Sequence, residues 1–351
     1  MEYKDLLALG KIAVTADPKA PVAFSFEGEN YSLEKVNKTL CRELNALLGE
    51  GNNRYRAFET HKNLIFRLIE ETIDEVLPAR VEQRYMDFAE VKTVAQGDKA
   101  IFTQRITEAA RKRAKTFVTR VGIAGRYETF MLDGASLEVK TGAIGAAARI
   151  GFEEVLDGRW SFADMTELVL EGMDEYILKE IAKALEAAVE ALPPVQKHVA
   201  QGFDEVAFDE LLAISDAYGK STIYCTFEFA ATMKPVEAWA SNEHKNAMWD
   251  RGYIDSYKGH TMVILPQTME DERNLMKVFD PAQCYIMPTG QDNRPVKLVF
   301  EGPTAVRTVD NQNDDWSMDM QTYKKFGIAT FFNNWMCSYR NESLKRETRS
   351  A

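Results

Sequence analysis

The chain has 351 residues, of which 45% are hydrophobic and 28% charged, the composition of an ordinary folded protein. Its formal charge of -11 excludes a protein whose whole surface wraps nucleic acid. Eleven prolines and 20 glycines are too few for a linker-rich or low-complexity chain.

The first ten residues, MEYKDLLALG, carry Glu2 and Asp5 where a secretion signal needs positive charge. The longest weakly polar stretch, Gly142 to Phe152, is broken by Arg149 and is too short to span a bilayer. Both point to the cytosol. The four cysteines, Cys41, Cys225, Cys284 and Cys337, have no paired spacing, so they read as reduced, small apolar side chains.

Residues 1 to 56 read as an extended arm. Turn-forming pieces (Asp17-Pro18, Ala20-Pro21, Gly49 to Asn53) surround a short helical candidate from Leu33 to Leu48. A clearer helix starts at Phe58. Its apolar residues Leu64, Ile65, Leu68, Ile69, Ile73, Val76 and Leu77 fall at three- and four-residue steps, and Pro78 is expected to end it.

From 92 to 158 the character changes. Arg105, Arg111, Lys112, Arg113, Lys115, Arg120 and Arg126 face a single acid, Glu108, within their stretch. Strand-like pieces follow at Tyr127 to Leu132, Ser136 to Lys140 and Ala148 to Val155. A basic start followed by hairpin chemistry suggests a long projecting loop, poorly stable on its own.

The strongest signal is a helix from Phe162 to Leu192, closed by Pro193-Pro194. Its apolar stripe runs through Met165, Val169, Met173, Tyr176, Ile177, Ile181, Leu185, Ala188, Val189 and Leu192, and about 30 residues make ~45 Å of helix. Eight acids (Asp164, Glu167, Glu171, Asp174, Glu175, Glu180, Glu186, Glu190) outnumber Lys179 and Lys183, which suits a helix packed along one side only. Between 204 and 300, helices and strands alternate as in a mixed α/β domain, with strands expected at Ser221 to Phe227, His260 to Leu265, Gln283 to Met287 and Val296 to Phe300. The last section alternates around Trp316, Met318, Met320, Phe326 and Ile328 like an antiparallel sheet on which the long helix could pack.

No catalytic constellation emerges. His61, His198, His244 and His260 lack metal-ligand spacing, Gly142 to Gly145 lacks the Lys and Ser/Thr of a phosphate loop, and no nucleophile elbow occurs. The expectation is therefore no catalytic residue, no cofactor and no metal. Two readings of the basic stretch compete. A nucleic-acid patch would want aromatic residues interleaved within Arg111 to Lys115, and there are none. The favoured reading sets Arg111, Lys112, Arg113, Lys115, Arg120 and Arg126 of one subunit against Glu167, Glu171, Asp174 and Glu175 of another. Exposed pairs of this kind are worth only about 0–1 kcal/mol each, so they would set register more than affinity.

The order of arm, helix, basic hairpin loop, long acidic helix, α/β domain and terminal strands resembles the major capsid proteins of tailed bacteriophages, the Hong Kong ninety-seven type. GYIDSYKGHTMVILPQ, with Gly252, Ile254, Tyr257 and Gly259 before an apolar strand ending near Pro266, is similar to their axial-domain stretch; Asp255 departs from the small residue common there. Phe203 to Pro235 and Ala110 to Leu132 resemble the start of that domain and the extended loop. The resemblance covers roughly 57 to 345. It implies an α+β fold divided into an N-terminal arm (1–56), the first helix of a peripheral domain (57–91), an extended loop with flanking strands (92–158), a spine helix (159–195), an axial domain (196–305) and C-terminal strands (306–351).

The resemblance also implies partners. These are further copies in pentamers and hexamers of an icosahedral shell, double-stranded DNA contacted non-specifically, a separate scaffolding protein, a portal and a decoration protein, with no membrane. Its place would be the virion head, after assembly in host cytoplasm. Relatives that weld subunits through a Lys–Asn bond direct attention to Lys112, Lys115 or Lys140 with Asn333 or Asn334, although lysines on a charged loop and asparagines at a turn need no such explanation. The rival readings are an encapsulin shell, which shares the fold but encloses cargo enzymes, and a cytosolic enzyme with an unrecognised site in the α/β domain.

Overall fold

The computed structural model describes residues 3–15, 25–26, 29–30, 33–48, 54–104, 135–150, 162–217, 219–233, 250–254, 256–288, 294, 296–309, 318–330 and 336–347. Helices α1 (Tyr3–Thr15), α2 (Leu33–Leu48), α3 (Arg54–Tyr85), α4 (Phe162–Glu190), α5 (Glu205–Asp216) and α6 (Phe227–Thr232) alternate with strands in an α+β fold, and the short strands β1 (Ser25–Phe26) and β2 (Glu29–Asn30) pair antiparallel between α1 and α2. The long helix expected from 162 to 192 is α4, and the helix expected from Leu33 to Leu48 is α2.

Two sheets organise the chain. One is four-stranded, in the order β3 (Ala89–Val94), β12 (Val296–Val309), β13 (Met318–Thr330), β6 (Gly142–Ile150). Its β12–β13 and β13–β6 pairings are antiparallel, while β3 joins β12 in parallel. Helix α3 packs on β12, and α4 packs on β13 and β6, as the terminal-sheet reading expected. Leu298, Phe300, Phe326 and Ile144 point from the sheet into the same core as Leu68, Ile73 and Leu77 of α3 and Ile177, Ile181 and Leu185 of α4.

The second sheet is six-stranded, in the order β7 (Lys197–Ala200), β14 (Cys337–Asn341), β11 (Gln283–Met287), β8 (Thr222–Cys225), β10 (His260–Ile264), β9 (Ser256–Tyr257). It is covered on both faces, which is why β11 is buried at every position. Cys284 and Ile286 look into a core with Phe208 of α5 and Phe229 of α6, whereas Tyr285 and Met287 look into the core shared with α4. Ile254 and Tyr257, from the phrase singled out in the sequence, are buried in the α5–α6 core. Tyr339 ties the sheet to α5, accepting the Asp204 N–H (2.7 Å) and donating to the Gly202 carbonyl (2.9 Å). Asp204 then caps α5 by accepting the Val206 N–H at 3.0 Å.

Three expectations are corrected. The strand expected from Val296 to Phe300 within the mixed α/β domain belongs instead to β12 of the four-stranded sheet, where it pairs in parallel with β3. The N-terminal arm is not extended at its start: α1 is helical, with Leu6 and Leu9 buried in the first core against α3 and α4. Pro78 does not end α3, which runs on to Tyr85. Proline inside a helix costs ~3 kcal/mol or more. Leu77, Val81 and Tyr85 are all buried on the core face, and at ~1.5–3 kcal/mol per large side chain they outweigh that cost together.

A smaller unit lies on the far side of the four-stranded sheet. Strands β4 (Ala100–Gln104) and β5 (Ala135–Val139) form an antiparallel ribbon whose register sets Gln104 opposite Ala135 and Ala100 opposite Val139. Ala100, Phe102 and Val139 pack on Val299 of β12 in a third small core. Of the strand-like pieces expected from 127 to 155, Ser136 to Lys140 matches β5 and Ala148 falls within β6; Tyr127 to Leu132 lies outside the described residues.

Candidate assembly interface

Helix α4 divides cleanly by period. Thr166, Val169, Leu170, Met173, Asp174, Ile177, Leu178 and Ile181 are buried, while Glu167, Glu171 and Glu175 follow one another at four-residue steps on the exposed side. Beside that acidic row run Leu168, Gly172 and Tyr176, also four apart; Leu168 is 61% exposed, and Tyr176, expected on the buried stripe, is 45% exposed because the turn of α4 buries Ile177 in its place. Two large apolar side chains in water beside three carboxylates make a mixed strip of the kind that meets a partner.

The structure separates Asp174 from the other expected interface acids. It is buried, ion-paired with Arg84 of α3, and accepts a hydrogen bond from the Tyr85 hydroxyl at 3.0 Å. Its carboxylate is used inside the subunit and is withdrawn from the proposed contact. Burial, with Asp174 next to it, pushes the Tyr85 hydroxyl far above the usual phenol range. Three further acids of α4 have partners of their own: Glu175 lies 3.6 Å from Lys179, Glu180 lies 2.8 Å from Lys183, and Glu186 lies 3.0 Å from Arg346. The exposed row is therefore strongest at Glu167 and Glu171.

On the basic side, Arg111, Lys112, Arg113, Lys115, Arg120 and Arg126 lie outside the described residues, as do Asn333 and Asn334. What is described is the ribbon that carries the basic stretch. Gln104 and Ala135 pair at one end of it, so the two residues that flank the basic stretch are neighbours.

The sheet beneath holds buried charges that sequence reading did not find. Lys324 of β13 is 1% exposed and pairs with Asp74 of α3. Asp74 also accepts the Thr304 N–H with both oxygens (2.8 and 3.0 Å) and the Thr304 hydroxyl (2.5 Å). One turn earlier, Glu70 accepts the Val306 N–H at 2.7 Å. These N–H groups lie in and beside the register shift between Glu301 and Ala305, so α3 supplies carboxylates where the ladder is interrupted. Buried Lys297 likewise pairs with Glu90 at 2.5 Å, and its ammonium lies 5.5 Å from the Phe102 ring centre.

Among the described residues, no three His, Cys, Asp or Glu side chains converge as a metal would need, and no helix is long and apolar enough to cross a membrane. Cys225, Cys284 and Cys337 are buried and joined in no disulfide, as the spacing implied. His198 stacks on Tyr339, and His260 lies between the Ser221 carbonyl (3.2 Å) and Asp216 (3.3 Å).

Residues 12–339 match the family described as SPbeta prophage-derived putative capsid protein YonB. No curated protein matches the chain. Among solved structures, the chain is similar to the holo-SrpI encapsulin complex from Synechococcus elongatus PCC 7942: 10% identity over 78% of this chain and 91% of that one, TM-score 0.44. It is also similar to the mature capsid of bacteriophage PhiM1, at 9% identity over 73% of this chain and 86% of that one, TM-score 0.46. A third likeness is to the capsid of an empty GTA particle, at 12% identity over 74% of this chain and 88% of that one, TM-score 0.45.

Proposed function

The chain belongs to the YonB family of prophage-derived capsid proteins, and from that premise we propose that it is the major capsid protein of a tailed phage. Copies form pentamers and hexamers, and these close into an icosahedral head around double-stranded DNA. The observation that carries the proposal is the family match, which spans all but the two ends of the chain. The role is structural and not catalytic.

The geometry supports a division of labour. The four-stranded sheet with α3 and α4 serves as the peripheral domain, and the six-stranded sheet with α5 and α6 as the axial domain. The β4–β5 ribbon carries the basic stretch onto a neighbouring subunit, where Glu167, Glu171 and Glu175 receive it beside Leu168 and Tyr176. The net charge of -11 suits a wall that does not bind tightly to the DNA it encloses. A separate scaffolding protein, a portal and a decoration protein complete the assembly, which takes place in host cytoplasm.

The test is the content of particles made in the presence of the neighbouring phage genes. Nuclease-treated particles should protect genome-length double-stranded DNA. Particles that hold a cargo enzyme and no protected DNA would move the chain to the encapsulins.

A further inference from the structure

Both strands of the ribbon are anchored at their base by one side chain. Glu301 of β12 is 7% exposed, although it lies on the outer face of its sheet. One carboxylate oxygen accepts the Gly97 N–H at 2.9 Å, from the turn that feeds β4. The other accepts the Thr141 hydroxyl, from the two-residue corner that leaves β5. Lys325 of β13 closes the site, its ammonium 2.9 Å from the first oxygen. A single carboxylate thus joins the turn before the ribbon, the corner after it and two strands of the sheet beneath.

The same seat is built by two glycines. Gly302, next to Glu301, has φ +67, and a Cβ there would meet the Cβ of Gln96 at 3.0 Å. At Gly327 of β13 a Cβ would lie 2.7 Å from the Lys140 carbonyl oxygen and 3.1 Å from the Thr141 side chain. The turn before the ribbon and the corner after it therefore rest directly on backbone, close enough to exclude a methyl group. The carboxyl group of Glu301 is held down at about 2, first by the Thr141 hydroxyl, then by the Gly97 N–H and Lys325.

We propose that Glu301 is a positioning residue for assembly, fixing the direction in which the β4–β5 ribbon leaves the subunit. The inference rests on the capsid reading and deepens it: whatever the basic stretch contacts, its aim is set here. The lever is short but sufficient. From Ala100 to Gln104 the ribbon rises ~14 Å, so a tilt of about 10° at the base moves its far end by ~2 Å. That is enough to spoil hydrogen bonds and close packing at a subunit contact.

The experiment places spin labels on the ribbon (Glu138→Cys) and on the uncovered part of the sheet (Arg307→Cys), in a Cys41→Ser background. Distances are measured in unassembled subunits, and the same variants without labels are imaged after assembly. Wild type should give one narrow distance distribution and closed shells. Glu301→Ala and Thr141→Val should at least double the width of that distribution and give open or irregular shells, with Glu301→Gln intermediate because its amide oxygen still accepts from Gly97. Thr141→Val keeps the test standing where Glu301→Ala fails to fold. Wild-type distances in the folded variants overturn the proposal, and so do widened distances with normal shells. If wild type itself forms no shells, the capsid reading fails, while the distances still decide whether Glu301 aims the ribbon.

Discussion

Arg84, in the last turn of α3, forms an ion pair with Asp174, in the middle of α4. The two long helices are therefore locked together by charge as well as by packing, and the carboxylate is held below the surface with the Tyr85 hydroxyl as a second partner.

Asp174→Ala should consequently act on the subunit and not on the contact between subunits. Removing one partner from a fully buried pair costs ~3–5 kcal/mol; Arg84 is partly in water, so about 2–3 kcal/mol is expected here. Urea unfolding of the unassembled subunit reads this directly. An unchanged midpoint, with assembly lost, would return Asp174 to the interface.

The exposed acids should behave in the opposite way. Glu167→Lys together with Glu171→Lys should leave urea stability within about 0.5 kcal/mol, since surface changes of this kind are nearly neutral. Shell closure should be lost. Reversing Arg111, Lys112 and Arg113 should give the same soluble, unclosed assemblies, and combining the two sets should restore closure, as electron microscopy would show. Normal shells from either set alone would remove the electrostatic part of the contact.

The hold of Glu301 on the ribbon should depend on acid. Its carboxyl group titrates at about 2 in the folded chain, below its ordinary 4.5. A depressed carboxyl contributes stability that is complete above the ordinary value and lost as pH falls through the folded one. Lys325 is the titratable partner facing it, and stays charged across this range. The ribbon-to-sheet distance should stay narrow from pH 7 to about 4.5 and widen as pH falls toward about 2. Glu301→Gln should lack that step. Widening on the alkaline side would contradict the assignment.

Burial pushes the Cys337 thiol up to about 12 and raises Cys284 well above the usual thiol range, with Cys225 beside it adding to the effect. Almost no thiolate of Cys284 or Cys337 then exists at pH 8, and it is the thiolate that reacts; Cys225 is fully buried and out of the reagent's reach. Ellman's reagent should leave Cys225, Cys284 and Cys337 unmodified in the folded subunit and reach them only in denaturant. Rapid labelling of any of the three at pH 8 would mean that the six-stranded sheet opens readily.

Much of this architecture could be read in advance, for a physical reason. Helix α4 and most of α3 bury one face each, so their apolar residues repeat at three and four positions, and the central strands carry continuous apolar runs because both faces are covered. Helix α1 is not legible from its own residues because a 13-residue helix is marginal alone; Leu6 and Leu9 find their core only against α3 and α4. Pro78 gave a stop signal that tertiary burial overrides. The Glu301 site left no local trace, since Gly97 and Thr141 are 204 and 160 residues away in the chain. Its one hint was an acid directly after the strand-like run from Val296 to Phe300 and just before Gly302. The acidic face of α4 was legible as a count, but which carboxylates face water depended on Arg84, 90 residues distant from Asp174.

Whether this chain builds a closed shell is decided by negative-stain electron microscopy of the purified protein, expressed with and without its neighbouring phage genes. Polyhedral particles or rings of five and six subunits are expected. A monodisperse dimer or tetramer under every condition would contradict shell formation.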